Sequence, residues 1–236
     1  MSDATVHRDG PSRIIFDPAL ISDPGASHFS PDFWGRSVVG QAPGRAMAVF
    51  IDADAGQWVL RHYHRGGLPA RLSRDRYVYC GLAQTRPFRE FRLLQQARAD
   101  GVAVPRPVAA AVHRAGPGYR GDLLLERLPA AETLAEVLAA DDMSAADWSD
   151  LARTIAQCHR KGYWHADLNA RNLLRSQGRW HLIDFDRARR RQPGAWDVKN
   201  LRRLQRSLDK FQRAGTLEYR PAQWAHFLLA YRRARD

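Results

Sequence analysis

An early segment of the chain alternates short β-prone runs with turn residues. Between residues 34 and 67 the runs "SVV", "AMAVFI" and "QWVLRHY" are separated by glycine and proline. Short alternating runs bounded by turn residues are typical of antiparallel strands. The first 30 residues instead contain Pro11, Pro18, Pro24 and Gly25, and we expect an irregular leader there.

A helical pattern follows in "RPFREFRLLQQARADG". Phe88, Phe91, Leu93 and Leu94 recur with helical spacing, and Gly101 marks the end of the run. The next two segments, "VPRPVAAAVH" and "YRGDLLLERL", are again β-prone. The first half therefore predicts strands around one helix.

The pattern changes in the second half of the chain. The run "SAADWSDLARTIAQCHRKG" has a candidate cap at Ser144 and apolar residues at Trp148, Leu151, Ile155 and Cys158, which predicts a helix. A β-prone run, "WHLIDFD", comes later, and the remaining sequence predicts arginine-rich helices.

These elements predict an α+β chain in two lobes that form a single domain. The leader covers residues 1–30, a β-rich N-terminal lobe covers 31–128, and a short helical C-terminal lobe covers 129–236. A connector near Glu126 to Ala131 joins the lobes.

Composition adds a constraint on partners. With 236 residues and 44% hydrophobic content, the chain can bury a sizeable core. Its 37 basic and 25 acidic residues give a formal charge of +12, and all basic residues except three lysines are arginine. Nucleic acid, nucleotide phosphates, an acidic membrane surface or an anionic substrate would each match this charge. The arginine excess is also consistent with a genomic base bias.

Cysteine usage and hydropathy indicate a setting. Cys80 and Cys158 form no CxxC and no zinc-like spacing, which favours a reducing, cytoplasmic environment. The start "MSDATVHRDGPSRIIF" lacks signal-peptide features, and no apolar run approaches the ~18 residues of a membrane span. We therefore expect any membrane contact to be peripheral.

The stretch "WHADLNARNLL" allows two interpretations. Asp167 or Asn169 could cap a helix that starts near Ala170. Alternatively the stretch is a catalytic loop, because Asp184 follows 17 residues after Asp167 at the end of the run "WHLI". Two such fragments in this order favour the loop.

Phosphoryl transfer from ATP needs the residue types found in these fragments. A carboxylate must orient the attacking hydroxyl and accept its proton, and oxygen ligands must hold magnesium on the phosphates. Asp167 is the candidate catalytic residue, and Asn172 and Asp184 are the candidate metal ligands. Direct transfer is favoured over a phospho-enzyme because no separate nucleophile stands out.

These motifs resemble those of the protein-kinase-like superfamily, whose catalytic loop is HxDxxxxN and whose metal-binding motif is DFG. The run "CHRKGYWHADLNARNLL" fits the first motif and "DFD" the second. The resemblance implies a protein-kinase-like fold with an antiparallel sheet in the N-terminal lobe. Asp186 stands where the superfamily has glycine; it could lie near the metal, but we expect a surface position.

The resemblance also implies cofactor-binding residues in the first half. Arg61 takes the place of the usual lysine, and Glu90 is its expected partner, although a solvated helix glutamate is the alternative. Gly40 and Gly44 in "GQAPGR" could cover the phosphates, or form only a hairpin turn. Glu126 completes the predicted cofactor-binding set.

A closer resemblance is to the 3-deoxy-D-manno-octulosonic acid (Kdo) kinases, relatives of the lipopolysaccharide core heptose kinases. It rests on "VLRHYHRGG", "TRPFREFRLL", "HADLNARNLL", "LIDFDRA" and "NLRRLQRSLDK" and extends from Phe33 to Lys210. That family has arginine in "VLRHY". The resemblance implies a phosphotransferase that uses ATP and Mg²⁺ on the 4-hydroxyl of Kdo in a Kdo–lipid A precursor. It also implies a peripheral enzyme at the cytoplasmic face of the inner membrane.

The acceptor contacts are less specific, because a solvated helix face is the more common explanation for any one of the candidates. The candidates are His62, His64, Arg65, Arg71, Arg86, Lys199, Asn200, Arg202, Arg203 and Arg206, together with the tail "YRRARD". A kinase for another sugar, small-molecule or protein hydroxyl would share the same catalytic residues. A pseudokinase or a nucleic-acid-binding domain is disfavoured, because the base and both metal ligands are present and no RNA-binding motif appears.

Overall fold

The computed structural model describes residues 4–42, 48–54, 56–64, 75–192 and 194–236. The chain divides into two compact units. The first unit comprises Met1–Gln95 and Arg106–Arg127, and the second comprises Gln96–Pro105 and Leu128–Asp236.

The first unit is built on one antiparallel sheet. Its strands in the described residues are β1 (Thr5–Asp9), β2 (Ser12–Phe16), β3 (Val38–Ala42), β4 (Ala48–Ala53), β5 (Gly56–His62), β6 (Tyr77–Val78), β7 (Pro107–Ala115) and β8 (Gly118–Glu126). Their order is β1-β2-β7-β8-β5-β4-β3, and β6 also pairs with β8. The buried side chains of Ile14, Ile51, Trp58, Val108 and Leu124 pack together on this sheet. The predicted hairpin strands are therefore present.

The prediction of an irregular leader over residues 1–30 is wrong for residues 5–9 and 12–16, which form two strands. β1 and β2 form a hairpin closed at Gly10, whose φ of +54° favours glycine. β2 then pairs with β7, and Ile14 and Ile15 become almost fully buried. Burial of these apolar residues against a distant strand stabilises a segment whose prolines had suggested irregular chain.

Among the described residues of the first part of the chain, helices are few. They are the short α1 (Pro31–Trp34) and the long α2 (Arg86–Ala99), with single 3-10 turns at Ala26–Phe29, Gly35–Ser37 and Leu82–Gln84. The predicted helix is confirmed, since Phe88, Phe91 and Leu94 are all buried. This helix carries Glu90, one of the predicted cofactor-binding residues.

The second unit contains the remaining elements. They are β9 (Glu132–Thr133), α3 (Leu134–Ala139), α4 (Ala145–Arg160), β10 (Tyr163–Trp164), β11 (Leu173–Ser176), β12 (Arg179–Leu182), β13 (Arg189–Arg190), α5 (Trp196–Arg213) and α6 (Pro221–Arg235). The short strands pair in the orders β12-β11-β9 and β10-β13. The predicted cap of α4 is confirmed, because Asp147 N–H donates to Ser144 Oγ at 3.1 Å.

α4 lies at the centre of the second unit. Trp148, Leu151 and Ile155 are fully buried, and the ring of Trp148 meets that of Phe227 on α6 edge-on. Among the described helices, none combines the length and apolar composition that a membrane span needs.

Candidate active site

The stretch "HADLNARN" forms a loop between β10 and β11, and no helix begins at Ala170. Asn169 closes a turn: its side-chain amide donates to Asp167 O at 3.0 Å and its Oδ1 accepts from Arg171 N–H at 2.8 Å. β11 then starts at Leu173. The helix-cap interpretation is therefore wrong, because the polar side chains bond within the loop and a strand follows it.

Asn172 links the loop to the segment that carries Asp184. Its Nδ2 donates to Asp167 O at 2.9 Å, and its carbonyl accepts from Ile183 N–H at 3.0 Å. This backbone bond brings Asn172 next to the residue that precedes Asp184. The structure thus places the two predicted metal ligands on adjacent backbone segments, and both are oxygen donors of the kind Mg²⁺ prefers.

His165 is a buried support of the loop. One ring nitrogen, Nε2, lies 2.8 Å from Ile183 O, and Nδ1 lies 3.2 Å from Asp167 N. Because the carbonyl can only accept and the backbone N–H can only donate, Nε2 carries the proton. Burial lowers the pKa of His165, which favours this neutral form. His165 thereby fixes the backbone of Asp167.

Asp184 has an unusual backbone conformation. Its φ of +64° lies in the left-handed region, which aspartate tolerates better than most residues. Strain of this kind persists where the surrounding structure enforces it and clusters at functional sites. Phe185 is buried with its ring edge-on to that of His165 at 5.2 Å. Asp186, for which we expected a surface position, is partly buried.

Helix α5 holds the loop from one side. Asn200 is buried, accepts from His165 N–H at 3.2 Å and donates to His165 O at 2.9 Å. Two turns further along α5, Ser207 Oγ accepts from Ala170 N–H at 3.2 Å. The prediction that Asn200 contacts the acceptor is therefore wrong, because its amide is buried and bonded to the loop backbone.

His159 of α4 supports Asn200 from beneath. Its Nε2 lies 3.3 Å from Asn200 Oδ1, and its Nδ1 lies 2.8 Å from the hydroxyl of Tyr231. Burial lowers the pKa of His159 to about 4, so that it is neutral at physiological pH. The roles of His159 and Ser207 are not visible in the sequence, since their partners lie far away in the chain.

Between Asn200 and Ser207, Arg203 forms an ion pair with Asp167. Its Nε donates to Asp167 Oδ1 at 3.0 Å, and Nη2 donates to the same oxygen. Both side chains are about half exposed. Partial burial acts to raise the pKa of Asp167, but the ion pair with Arg203 outweighs it, and the pKa lies below its usual value. The aspartate is therefore ionised, as a proton acceptor must be.

The first unit contains a second arginine–carboxylate pair, between Arg61 and Glu90. Glu90 is 1% exposed and receives hydrogen bonds from Arg61 and, at 2.5 Å, from the hydroxyl of Tyr63. The alternative of a solvated helix glutamate is therefore wrong. Tyr63, which sequence analysis missed, is fully buried, and burial raises its pKa well above the usual value.

The other predicted cofactor-binding residues lie on strands or outside the described residues. Gly40 is in β3 beside an irregularity in its pairing with β4, and Gly44 is not among the described residues. Glu126 ends β8, with its carboxylate 4.0 Å from Arg106. The predicted phosphate-covering role of Gly40 and Gly44 therefore stays a prediction.

Several candidate acceptor contacts have other partners. His62 Nδ1 lies 2.7 Å from the buried carboxylate of Asp122, and its Nε2 lies 3.6 Å from Asp75. The Asp122 hydrogen bond raises the pKa of His62 against the effect of burial. Arg86 donates to the Tyr77 hydroxyl at 2.6 Å. Both ring nitrogens of His62 thus face carboxylates, and its predicted contact with the acceptor stays a prediction.

The remaining candidates are exposed or not described. Arg65 and Arg71 lie outside the described residues, and His64 is exposed. α5 presents a stripe of exposed basic residues at positions that share one helix face: Lys199, Arg202, Arg206, Lys210 and Arg213. We call these five residues the basic stripe. None of them forms an ion pair with another described residue.

Comparison with known proteins identifies relatives over most of the chain. The model of the lipopolysaccharide kinase (Kdo/WaaP) family matches residues 32–231. A 3-deoxy-D-manno-octulosonic acid kinase of Xanthomonas axonopodis pv. citri is 46% identical over 206 residues, which cover 86% of this chain and 82% of the relative. The enzyme of the same name from Stenotrophomonas maltophilia K279a is 43% identical over 227 residues, with 94% and 90% covered. Another, from Vibrio parahaemolyticus, is 39% identical over 207 residues, with 86% and 87% covered.

A solved structure shares the fold. "WaaP in complex with acyl carrier protein" matches with a TM-score of 0.56 and 19% identity, and covers 86% of this chain and 85% of that one. At this identity the likeness concerns the fold alone. It confirms the predicted α+β, protein-kinase-like fold class.

Proposed function

The chain belongs to the lipopolysaccharide kinase (Kdo/WaaP) family, and from this we propose that it is a kinase acting on Kdo in lipopolysaccharide core biosynthesis. The donor is ATP, the acceptor is a Kdo–lipid A precursor, and the phosphorylated group is the 4-hydroxyl. The observation that carries the proposal is the ionised Asp167 on a loop whose Asn172 adjoins the Asp184 segment.

Asp167 is the proposed base. Its carboxylate is half exposed, so a sugar hydroxyl can reach it, while His165 and Asn172 hold its backbone on both sides. Asp167 would orient the hydroxyl and take its proton as the oxygen attacks the γ-phosphate of ATP. ADP leaves in the same step, and no phospho-enzyme is formed.

Asn172 and Asp184 are the proposed magnesium ligands. The hydrogen bond of Asn172 to Asp167 O uses the amide nitrogen. No donor to Asn172 Oδ1 is found among the described residues, so this oxygen could bind the metal. Magnesium at these residues would neutralise the charge that develops on the transferred phosphate. Within the first unit, Arg61 is held by Glu90 and Tyr63 and is a candidate cation for nucleotide phosphates.

The acceptor assay is direct. Incubation of a Kdo–lipid A precursor with the enzyme, ATP and magnesium should raise its mass by one phosphate, and fragmentation should place that phosphate on the 4-hydroxyl. If the mass does not change but phosphate is transferred to a different sugar, small-molecule or protein hydroxyl, the acceptor assignment is wrong and the kinase assignment stands.

A second assay tests the proposed chemistry. Asp167→Ala should abolish magnesium- and ATP-dependent transfer, and Asp184→Asn should raise the magnesium concentration needed for half-maximal rate. Asparagine also tolerates the left-handed backbone, so this variant isolates the lost charge. Asp32→Asn, on the exposed face of α1, is the matched control. Transfer that survives Asp167→Ala would refute this mechanism.

We also propose that the protein binds the cytoplasmic face of the inner membrane peripherally. The basic stripe extends over four turns of α5, and basic residues near an anionic bilayer contribute ~1 kcal/mol each. Co-sedimentation with phosphatidylcholine vesicles should therefore require added phosphatidylglycerol and weaken with salt.

Charge reversal locates this surface. Arg206→Glu with Lys210→Glu should lower binding to the anionic vesicles at least ~10-fold. Reversal of Arg232 and Arg233, in the exposed tail of α6, is the matched comparison. A larger loss from the tail variant would move the docking surface to α6.

A further inference from the structure

Three residues of α5 contact the catalytic loop in sequence order: Asn200, Arg203 and Ser207. Asn200 and Ser207 bond to backbone atoms of the loop on either side of Asp167. Of these three α5 residues, Arg203 is the one that reaches the Asp167 carboxylate. Because the flanking contacts hold the loop backbone, the ion pair of Arg203 is not needed to position it.

Arg203 has N–H groups that its contact with Asp167 does not use. A guanidinium carries five N–H groups, and two of them point at Asp167 Oδ1. The side chain is 47% exposed and forms no other hydrogen bond to a described residue. The remaining N–H groups therefore lie beside the proposed base and are accessible to an anionic group of the acceptor.

Other arginines around the loop stack on aromatic rings. Arg171 lies over Phe211 at 5.1 Å, and Arg189 and Arg191 lie over the ring of Trp164 at 4.9 and 4.1 Å. Stacking of this kind directs the guanidinium face to a ring. Arg203 is the arginine of this group that presents its edge to a carboxylate, the geometry that suits a second carboxylate as well.

Electrostatics favours an arginine at this position. An acidic sugar brings its own carboxylate close to Asp167, and two like charges repel each other. A guanidinium bonded to both removes the repulsion and sets the sugar at a fixed distance from the base. A neutral sugar would gain nothing from this contact.

We infer that Arg203 binds the carboxylate of the acceptor sugar and thereby selects an acidic sugar for phosphorylation next to Asp167. This inference rests on the proposed function, and it specifies one contact by which the acceptor is recognised. The carboxylate is distinct from the lipid phosphates of the same acceptor, which could also attract basic residues.

The test compares two acceptors, the Kdo–lipid A precursor and its carboxylate methyl ester, which keeps the lipid phosphates. The wild-type enzyme should prefer the acid over the ester by roughly 10- to 100-fold in kcat/KM, the range of a charge-assisted contact. Arg203→Gln should erase most of this preference, mainly by raising KM for the acid, with KM for ATP unchanged. Arg203→Lys should restore part of it, because charge remains but the planar fork is lost.

Arg153→Gln, an exposed arginine on α4, is the matched control and should keep the wild-type preference. Equal melting temperatures of all variants exclude misfolding. If Arg203→Gln slows acid and ester equally, Arg203 acts only through Asp167 and the inference is wrong. If the wild type phosphorylates neither acceptor, the proposed function itself fails.

Discussion

Two arginine–carboxylate pairs, Arg61–Glu90 and Arg203–Asp167, involve predicted site residues and are chemically alike but differ in burial. Arg61 and Glu90 lie in the first unit, where Glu90 is 1% exposed and also bonds to Tyr63. Arg203 and Asp167 lie in the second unit, and each is about half exposed. Removal of one partner from a buried pair leaves an uncompensated charge, whereas exposed pairs contribute about 0–1 kcal/mol.

This difference indicates what each pair does. The buried carboxylate of Glu90 holds Arg61 in one orientation, so its loss should appear in folding as well as in activity. The exposed carboxylate of Asp167 is accessible to a substrate, so its loss should appear in turnover. Five variants and a pH titration separate these outcomes.

The largest effect is expected for Asp167→Asn. If Asp167 is the proton acceptor, as proposed, its loss should lower kcat by about 10²- to 10⁴-fold. The free energy of unfolding should change by less than about 1 kcal/mol, since the exposed pair contributes little. Steady-state kinetics and urea denaturation on the same preparation check both values. A large loss of stability would contradict the assignment of a mainly chemical role.

Glu90→Ala should mainly destabilise the protein. Arg61 is 15% exposed, and without its partner the charge should cost about 3–5 kcal/mol in unfolding free energy. Urea denaturation measures this loss, and Glu218→Ala, at an exposed glutamate, is the control. A change below about 1 kcal/mol would show that the pair behaves like a surface pair.

Acid should weaken the support beneath the exposed pair. The pKa of His159 is about 4 in the folded protein, below its value in the unfolded chain, so the unfolded state binds the proton first. The stabilisation that neutral His159 contributes to the free energy of unfolding is fully present above about pH 6.5 and decreases by about 3 kcal/mol as the pH drops to 4. Unfolding at several pH values measures this slope. His159→Phe should flatten it, and an unchanged slope would contradict the assignment.

Tyr63→Phe should have an intermediate effect. The variant removes the hydroxyl's hydrogen bond to the Glu90 carboxylate and the 3.4 Å hydrogen bond from Arg61, but keeps the ring and the ion pair, which predicts a loss of about 1.5–3 kcal/mol. Urea denaturation gives the value, and Tyr79→Phe serves as the control. If Tyr63→Phe is as damaging as Glu90→Ala, the hydroxyl matters more than the arginine.

The smallest effect on stability is expected for Arg203→Gln. An exposed ion pair contributes about 0–1 kcal/mol, so the unfolding free energy should stay within that range. Thermal and urea unfolding check it. A loss of several kcal/mol would mean that Arg203 is required to hold the catalytic loop, and the contrast between the two pairs would disappear.

Local patterns predicted the elements whose stability is local. α4 was predicted from Ser144 and its apolar spacing, and the hairpin strands from turn residues between β-prone runs. The β1–β2 hairpin was missed although Asp9 and Gly10 are a turn signal, because the nearby prolines dominated the interpretation. Its burial against β7 depends on residues about 100 positions away.

The site divides in the same way. Asp167, Asn172 and Asp184 stand out because short motifs fix their spacing. Their supports do not, since Asn200, Ser207 and Tyr63 act through contacts between distant segments. Asn200 was assigned to the acceptor because its helix face was predicted correctly but its burial was not. Helical spacing predicts which side chains share a face of the helix. Whether that face is buried or exposed depends on tertiary packing.

The pairing of β2 with β7 has a consequence for synthesis on the ribosome. Residues 12–16 emerge early, but their partner strand at residues 107–115 emerges about 100 residues later. The first sheet therefore cannot close until residues 107–115 have been synthesised, and such non-local pairing slows folding. Until then Ile14 and Ile15 are exposed and open to wrong contacts. Slow translation near residue 120 would give this hairpin time to dock before the helices of the second unit appear.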